Sequence, residues 1–273
     1  MRSIEKGLEK AQREREGHRR NGNRKLLQSW RGQSSDRSKL SAYLVSLLEP
    51  KSPAAEQFKR LRTALLRKMK ARMGNVLLVT SAIQGEGKTT TALNLAISIA
   101  QGMNETVLMI DTDLRKPGVH THLGIEVERG LVDYLRGECS LPELLVKTEI
   151  PKLTILPSGE PPENPSELLA SDRMSQLLRE VKGRYENRFV VLDTSPVNIF
   201  ADTAILAPQA EGVLLVVKDG GTPRDFVHRA ISQLDGSNLL GLILNQFSAP
   251  ESLKDTYYYY YDYDYDRSDK SRS

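Results

Sequence analysis

Cysteine is almost missing from this 273-residue chain: Cys139 stands alone. That excludes a disulfide framework and a cysteine-rich zinc site, and it fits a reducing compartment. Long apolar runs are missing as well. None approaches the roughly 20 residues needed to cross a bilayer, and the first residues are charged throughout. Neither a transmembrane helix nor a secretory signal is therefore expected. Aromatics are scarce, with one exception: one Trp and five Phe stand against ten Tyr. Seven of those tyrosines fall between Tyr257 and Tyr265, so the excess is local.

Net charge is also small, +4, but it is the sum of two unlike parts. Residues 1–72 hold 20 Lys and Arg against 7 Asp and Glu, whereas residues 73–273 hold 19 against 28. Residues 1–39 are rich in Arg, Lys, Gly, Asn and Ser with almost no apolar period, and read as a disordered basic arm. Such an arm is either merely solvated or drawn to an acidic membrane surface. Only Trp30 is interleaved with the basic residues, so specific reading of nucleic acid is not expected.

Residues 40–250 read as one folded domain. Ser52-Pro53 marks a helix start, with Ser52 as N-cap and Pro53 in the first helical position. Phe58, Leu61, Leu65 and Leu66 then share one face of a helix over 54–69. From Asn75 onward, short runs rich in Val, Ile and Leu alternate with helical patterns. The strands are expected at 76–80, 106–110, 153–157, 189–192, 212–217 and 240–245. Helices are expected at 89–101, 165–182, 202–207 and 225–234. Continuous apolar strands of this kind are buried on both faces of a parallel sheet. The fold class is therefore α/β: a doubly wound, mostly parallel sheet flanked by a disordered arm and a disordered tail, residues 251–273.

The first strand runs into Ser81-Ala-Ile-Gln-Gly-Glu-Gly-Lys-Thr-Thr90. A glycine-rich turn that opens a helix presents unpaired backbone N–H groups to phosphate oxygens, assisted by the helix dipole. Gln84, Gly85, Glu86, Gly87, Lys88, Thr89 and Thr90 form that cradle. Lys88 is placed to reach the β- and γ-phosphates and the Thr89 hydroxyl to ligate Mg²⁺. The strict pattern has Gly where this chain has Ala82, but the strand–turn–helix context carries the reading. Two carboxylate motifs follow at strand ends: Ile110-Asp111-Thr-Asp113-Leu-Arg115-Lys116-Pro117 and Val191-Leu-Asp193-Thr-Ser195-Pro196. Carboxylates there border the ligand crevice of such a sheet. Asp193 is suited to hold the metal through water, and Asp111 to touch both metal and nucleophile. Asp113 and Asp202 are also acceptable as helix N-caps.

Together these motifs resemble the bacterial tyrosine kinases of polysaccharide export, a branch of the deviant Walker P-loop ATPases. The segment Glu56-Gln-Phe-Lys59-Arg-Leu-Arg62, the stretch Leu156-Pro-Ser-Gly-Glu-Pro-Pro-Glu-Asn164-Pro-Ser166-Glu-Leu-Leu-Ala170 and the tyrosine-rich end add to the likeness, which spans residues 40–265. The resemblance implies an ATP- and Mg²⁺-dependent protein-tyrosine autokinase that regulates exopolysaccharide or capsule synthesis. It makes Lys88, Asp111, Asp113 and Asp193 the catalytic set, with Asp111 as base, and Thr89, Asp111 and Asp193 the metal set. It sets Asn245 against the adenine. It assigns Glu56, Lys59 and Arg62 to contacts between subunits of a ring-like homo-oligomer, with Lys59 where the family has Arg. The phosphoacceptors are Tyr257, Tyr258, Tyr259, Tyr260, Tyr261, Tyr263 and Tyr265. The implied partners are a separate transmembrane adaptor, or polysaccharide co-polymerase, and a phosphotyrosine phosphatase. The implied location is the cytoplasm, at the inner membrane through the adaptor.

Two other classes share parts of this pattern. A non-kinase ATPase of the partitioning or scaffold type shares the fold, yet it usually carries an extra Lys early in the phosphate loop. Here Ala82-Ile-Gln84-Gly85 has none, and such proteins lack a tyrosine cluster. An ATP-binding module of an export complex is the other, and the intact Lys88, Thr89, Asp111 and Asp193 argue against it.

Overall fold

Val, Ile and Leu fill the strands because their branched side chains pack on a pleated surface that is covered on both sides. The computed structural model describes residues 40–71, 74–183 and 187–248. The seven tail tyrosines and the basic arm lie outside them. Seven strands form one sheet: β1 (Val76–Ser81), β2 (Thr106–Asp111), β3 (Val146–Lys147), β4 (Leu153–Leu156), β5 (Arg188–Asp193), β6 (Gly212–Lys218) and β7 (Leu239–Asn245). Their order is β3-β4-β2-β5-β1-β6-β7. Every pairing is parallel except β3 with β4. The doubly wound sheet expected from the sequence is thus present.

The helices are α1 (Val45–Leu48), α2 (Pro53–Lys70), α3 (Lys88–Ala100), α4 (Val119–His122), α5 (Leu131–Arg136), α6 (Leu141–Leu144), α7 (Pro165–Leu169), α8 (Asp172–Gly183), α9 (Asp202–Leu206) and α10 (Arg224–Gln233). Ser52 caps α2 as its sequence foretells: its side chain accepts from Ala55 N at 3.1 Å. One apolar core joins the sheet to α3 and to Leu65 and Met69 of α2. The other joins the opposite face to α5, α8 and α9. Helix α3 is buried along ten residues in a row, Thr91 to Ala100, so the element that starts at the phosphate loop is held from all sides.

Two expectations need correction, and one segment adds elements that the sequence does not show. The single helix expected over 165–182 is two, α7 and α8, with a break at Ala170 and Ser171, where the Ser171 side chain bonds Leu168 O and takes up Met174 N. The segment 119–144 holds three short helices that carry too few turns to show a period. The last strand is not buried on both faces: β7 lies at the sheet edge with Leu242 and Leu244 about half-exposed.

Candidate functional site

Strand order decides where the chemistry gathers. β1 is central, β5 and β2 lie on one side of it and β6 on the other, and their C-terminal ends share one rim. Asp111 and Asp193 are the last residues of β2 and β5 and are direct register partners. Two carboxylates on adjacent strands, both fully buried, hinder each other's ionisation. Burial first, and then the Asp193 charge, push the Asp111 carboxyl up to about 8. Burial raises Asp193 as well, against the pull of Lys88.

The phosphate loop leaves β1 and turns twice through the left-handed region, at Gly85 (φ 81°) and Gly87 (φ 84°), conformations that favour glycine. A Cβ on Gly87 would collide with the Asn245 side-chain amide. That amide donates to Glu86 O at 2.8 Å, so the last residue of β7 closes over the loop from outside. The Glu86 carboxylate is buried and points away from the loop's mouth. It accepts from Ile83 N at 2.7 Å, from Lys218 N at 3.2 Å and from the Thr222 hydroxyl, bracing the loop against the end of β6. The Glu86 side chain is thus a brace for the loop.

Lys88 and Thr89 open α3 and meet both carboxylate motifs. Lys88 Nζ lies 2.6 Å from Asp113 Oδ2 and 3.6 Å from Asp193 Oδ2. Burial works against its charge, but Asp193 and Asp113 together outweigh that and hold the ammonium above the ordinary lysine value. Thr89 Oγ1 donates to Asp193 Oδ2 at 2.6 Å. Asp193 Oδ1 is buried with no hydrogen-bond partner among the described residues. Asp111 Oδ2 accepts from Gly118 N and Val119 N, both at 3.0 Å, at the start of α4. Asp113 also accepts from Lys116 N at 3.2 Å. Lys88, Thr89, Asp111, Asp113 and Asp193, far apart in sequence, therefore converge.

Glu56, Lys59 and Arg62 do not join this cluster. Glu56 and Lys59 form an i,i+3 pair at 3.1 Å on the surface of α2. Arg62 Nη1 donates to Ser98 O on α3 at 2.7 Å, within its own chain.

A second cluster escaped the motif reading. Asp202, the first residue of α9 rather than its cap, is fully buried. It takes Arg115 Nε at 2.8 Å and Nη2 at 3.2 Å, Ser166 Oγ at 2.6 Å and Ser195 Oγ at 3.1 Å. The Arg115 guanidinium stacks over Phe200, 4.4 Å from the ring centre. This latch ties together the segments that follow β2, β4 and β5. Arg115, Ser166 and Ser195 each lie inside a motif visible in the sequence, but nothing local says that one carboxylate collects all three.

Comparison with known proteins agrees with this arrangement. Residues 75–221 match the AAA domain family. Tyrosine-protein kinase YwqD of Bacillus subtilis is 37% identical over 223 residues, covering 81% of this chain and 93% of that protein. Tyrosine-protein kinase wzc of Salmonella typhimurium is 34% identical over 204 residues, which are 74% of this chain and 28% of that one. The solved kinase domain of Escherichia coli tyrosine kinase ETK matches with a TM-score of 0.71 at 31% identity, over 79% of this chain and 85% of the domain. A phosphate loop facing two strand-end carboxylate motifs, on a chain aligned along most of its length with such relatives, makes it a member of the bacterial tyrosine kinase family.

Proposed function

We propose that the chain is an ATP-dependent protein-tyrosine kinase that transfers the γ-phosphoryl group to its own tyrosine cluster, in trans between copies in a ring-like oligomer. The observation that carries this is the convergence of Lys88, Thr89, Asp111, Asp113 and Asp193 on one rim, in a chain that ends in seven closely spaced tyrosines. The backbone N–H groups from Gln84 to Thr90 cradle the phosphates. Lys88, held beside Asp113 and Asp193, is positioned to turn to the phosphates and offset their charge.

The residues present suit Mg²⁺. The unpartnered Asp193 Oδ1 and the Thr89 hydroxyl offer hard oxygen donors, with Asp111 adjacent. When bound, Mg²⁺ neutralises charge on the β- and γ-phosphoryl oxygens. A tyrosine hydroxyl has a pKa near 10 and needs a base at neutral pH. Asp111, at the end of β2 beside Asp193, is the carboxylate that would take that proton. Asn245, bonded to the Glu86 carbonyl, would be the residue to meet the adenine.

On this reading the kinase regulates exopolysaccharide or capsule synthesis. It acts in the cytoplasm at the inner membrane, through a separate transmembrane adaptor, and a phosphotyrosine phosphatase resets it. Among the described residues no helix is long and apolar enough to cross a membrane. Glu56 and Lys59 are accessible for subunit contact.

Incubation with γ-labelled ATP and Mg²⁺, followed by mass spectrometry, tests the proposal. Label is expected on tail tyrosines in the wild type, and in neither Lys88→Met nor a chain ending at Pro250. Release of free phosphate without labelled protein would support a non-kinase ATPase instead.

A further inference from the structure

β7 differs from the other long strands. Among the described residues it pairs only with β6, and none of them adds a strand to its outer edge. Leu242 is 50% exposed and Leu244 54%, and Phe247 just beyond the strand is also 54% exposed. In register, Leu242 pairs with Leu215 and Leu244 with Val217, both members of the core on the α8 side. The two leucines thus continue an apolar sheet face outward. On the other face Ile243 packs against the α2–α3 core, and Lys68 Nζ donates to Leu240 O at 3.0 Å. That bond caps the early part of the edge and brings Lys68, in the basic last turn of α2, beside β7. An open edge flanked by exposed leucines is a template for another strand.

We propose that this edge receives the chain's own C-terminal tyrosine segment, added antiparallel to β7 while the tail is unphosphorylated. Three features select this occupant over a second copy of the edge. The tail departs from the end of β7 itself, where Gln246 turns the chain at φ 56°. Tyr261-Asp-Tyr263-Asp-Tyr265-Asp266 alternates with the period of a strand, which puts tyrosines on one face and aspartates on the other. The two faces of β7 differ in the same sense, leucine on one and lysine on the other.

With Tyr261 opposite Leu244 and Tyr263 opposite Leu242, the rings cover the leucines. Asp262 then lies opposite Ile243 and Asp264 opposite Gly241, which has open space beside it, on the face of the α2 basic turn. A slip of one residue would set aspartates on the leucines, so the pattern fixes the register. Tyr257 to Tyr260 remain in the connecting segment. Taken with the phosphotransfer reading, on which only this consequence rests, those four accept phosphate first. A phosphate on Tyr261 or Tyr263 sets charge against leucine and releases the segment.

Hydrogen exchange on full-length, phosphatase-treated protein without ATP tests the docking. Outward amides among Leu242–Asn245 should exchange on the order of tenfold more slowly than in a chain ending at Pro250. Leu244→Asp with the tail intact should lose that protection, and its unchanged melting temperature would show that the fold persists. Equal exchange with and without the tail overturns the proposal. So does protection that survives truncation and rises with protein concentration, which would assign the edge to a second copy. Protection that survives Tyr261→Asp with Tyr263→Asp also overturns it. Because no phosphotransfer is involved, failure here leaves the kinase reading standing. A tail that docks yet never becomes labelled would sink that reading alone.

Discussion

Asp202 carries a charge in full burial, and its partners make that tolerable. Burial works against the carboxylate, but hydrogen bonds from Arg115 and Ser166, with the Arg115 charge, outweigh it and hold Asp202 below the ordinary carboxylate value. A carboxyl with a lowered folded pKa contributes stability that is complete above its unfolded value, about 3.9. The contribution is lost as pH falls through the lower folded value. Asp202→Asn should therefore cost about 1–3 kcal/mol at pH 7, measured by urea unfolding, and the gap to wild type should close only below about pH 4. A gap that closes between pH 7 and 5 would assign the effect to another group. At this scale the phosphate loop and both carboxylate motifs were legible, because each is a local string with its own chemistry. The latch was not. Arg115 and Asp202 stand 87 positions apart in sequence, and only the strand order brings them together.

Helix α3 sets the standard for an element. It begins in the phosphate loop, and its Leu95 is fully buried. Leu95→Ala should destabilise by about 2–5 kcal/mol, whereas Met103→Ala, at 93% exposure, should stay within about 0.5 kcal/mol. Thermal and urea unfolding of the two variants make the comparison. Long elements with a sustained apolar pattern were readable from the sequence: six of the seven strands, α2, α3 and α10 fall where the periodicity puts them. What escaped was short or decided from outside. β3 has two residues, and α4 and α6 have four each, fewer than a period needs to show. β7 reads as a buried strand because Leu239 to Leu244 is as apolar as any other, and only its place at the sheet edge leaves two of those leucines half-exposed.

For the whole molecule, charge is the variable that the proposed reaction changes most. Each phosphotyrosine adds about −1.5 to −2 at pH 7, so seven add about −10 to −14. The net charge of +4 then becomes strongly negative, and tails crowded in one assembly repel. Dephosphorylated protein should form the larger species by size-exclusion chromatography with light scattering, and fully phosphorylated protein the smaller. The difference should narrow as salt screens the tails. Equal sizes in both states would sink the switch.

The bond from Asn245 to the Glu86 carbonyl has a further consequence, one of concentration. It roots the chain that leads to the tail beside the phosphate loop. Tyr257 stands twelve positions beyond Asn245, a leash of at most about 40 Å. Tyrosines on such a leash, whether delivered at home or to an adjacent copy, are confined to a small volume, equivalent to a concentration on the order of millimolar. An acceptor supplied that densely needs little affinity of its own. A free peptide of the same sequence would forgo that advantage and should be a poor substrate.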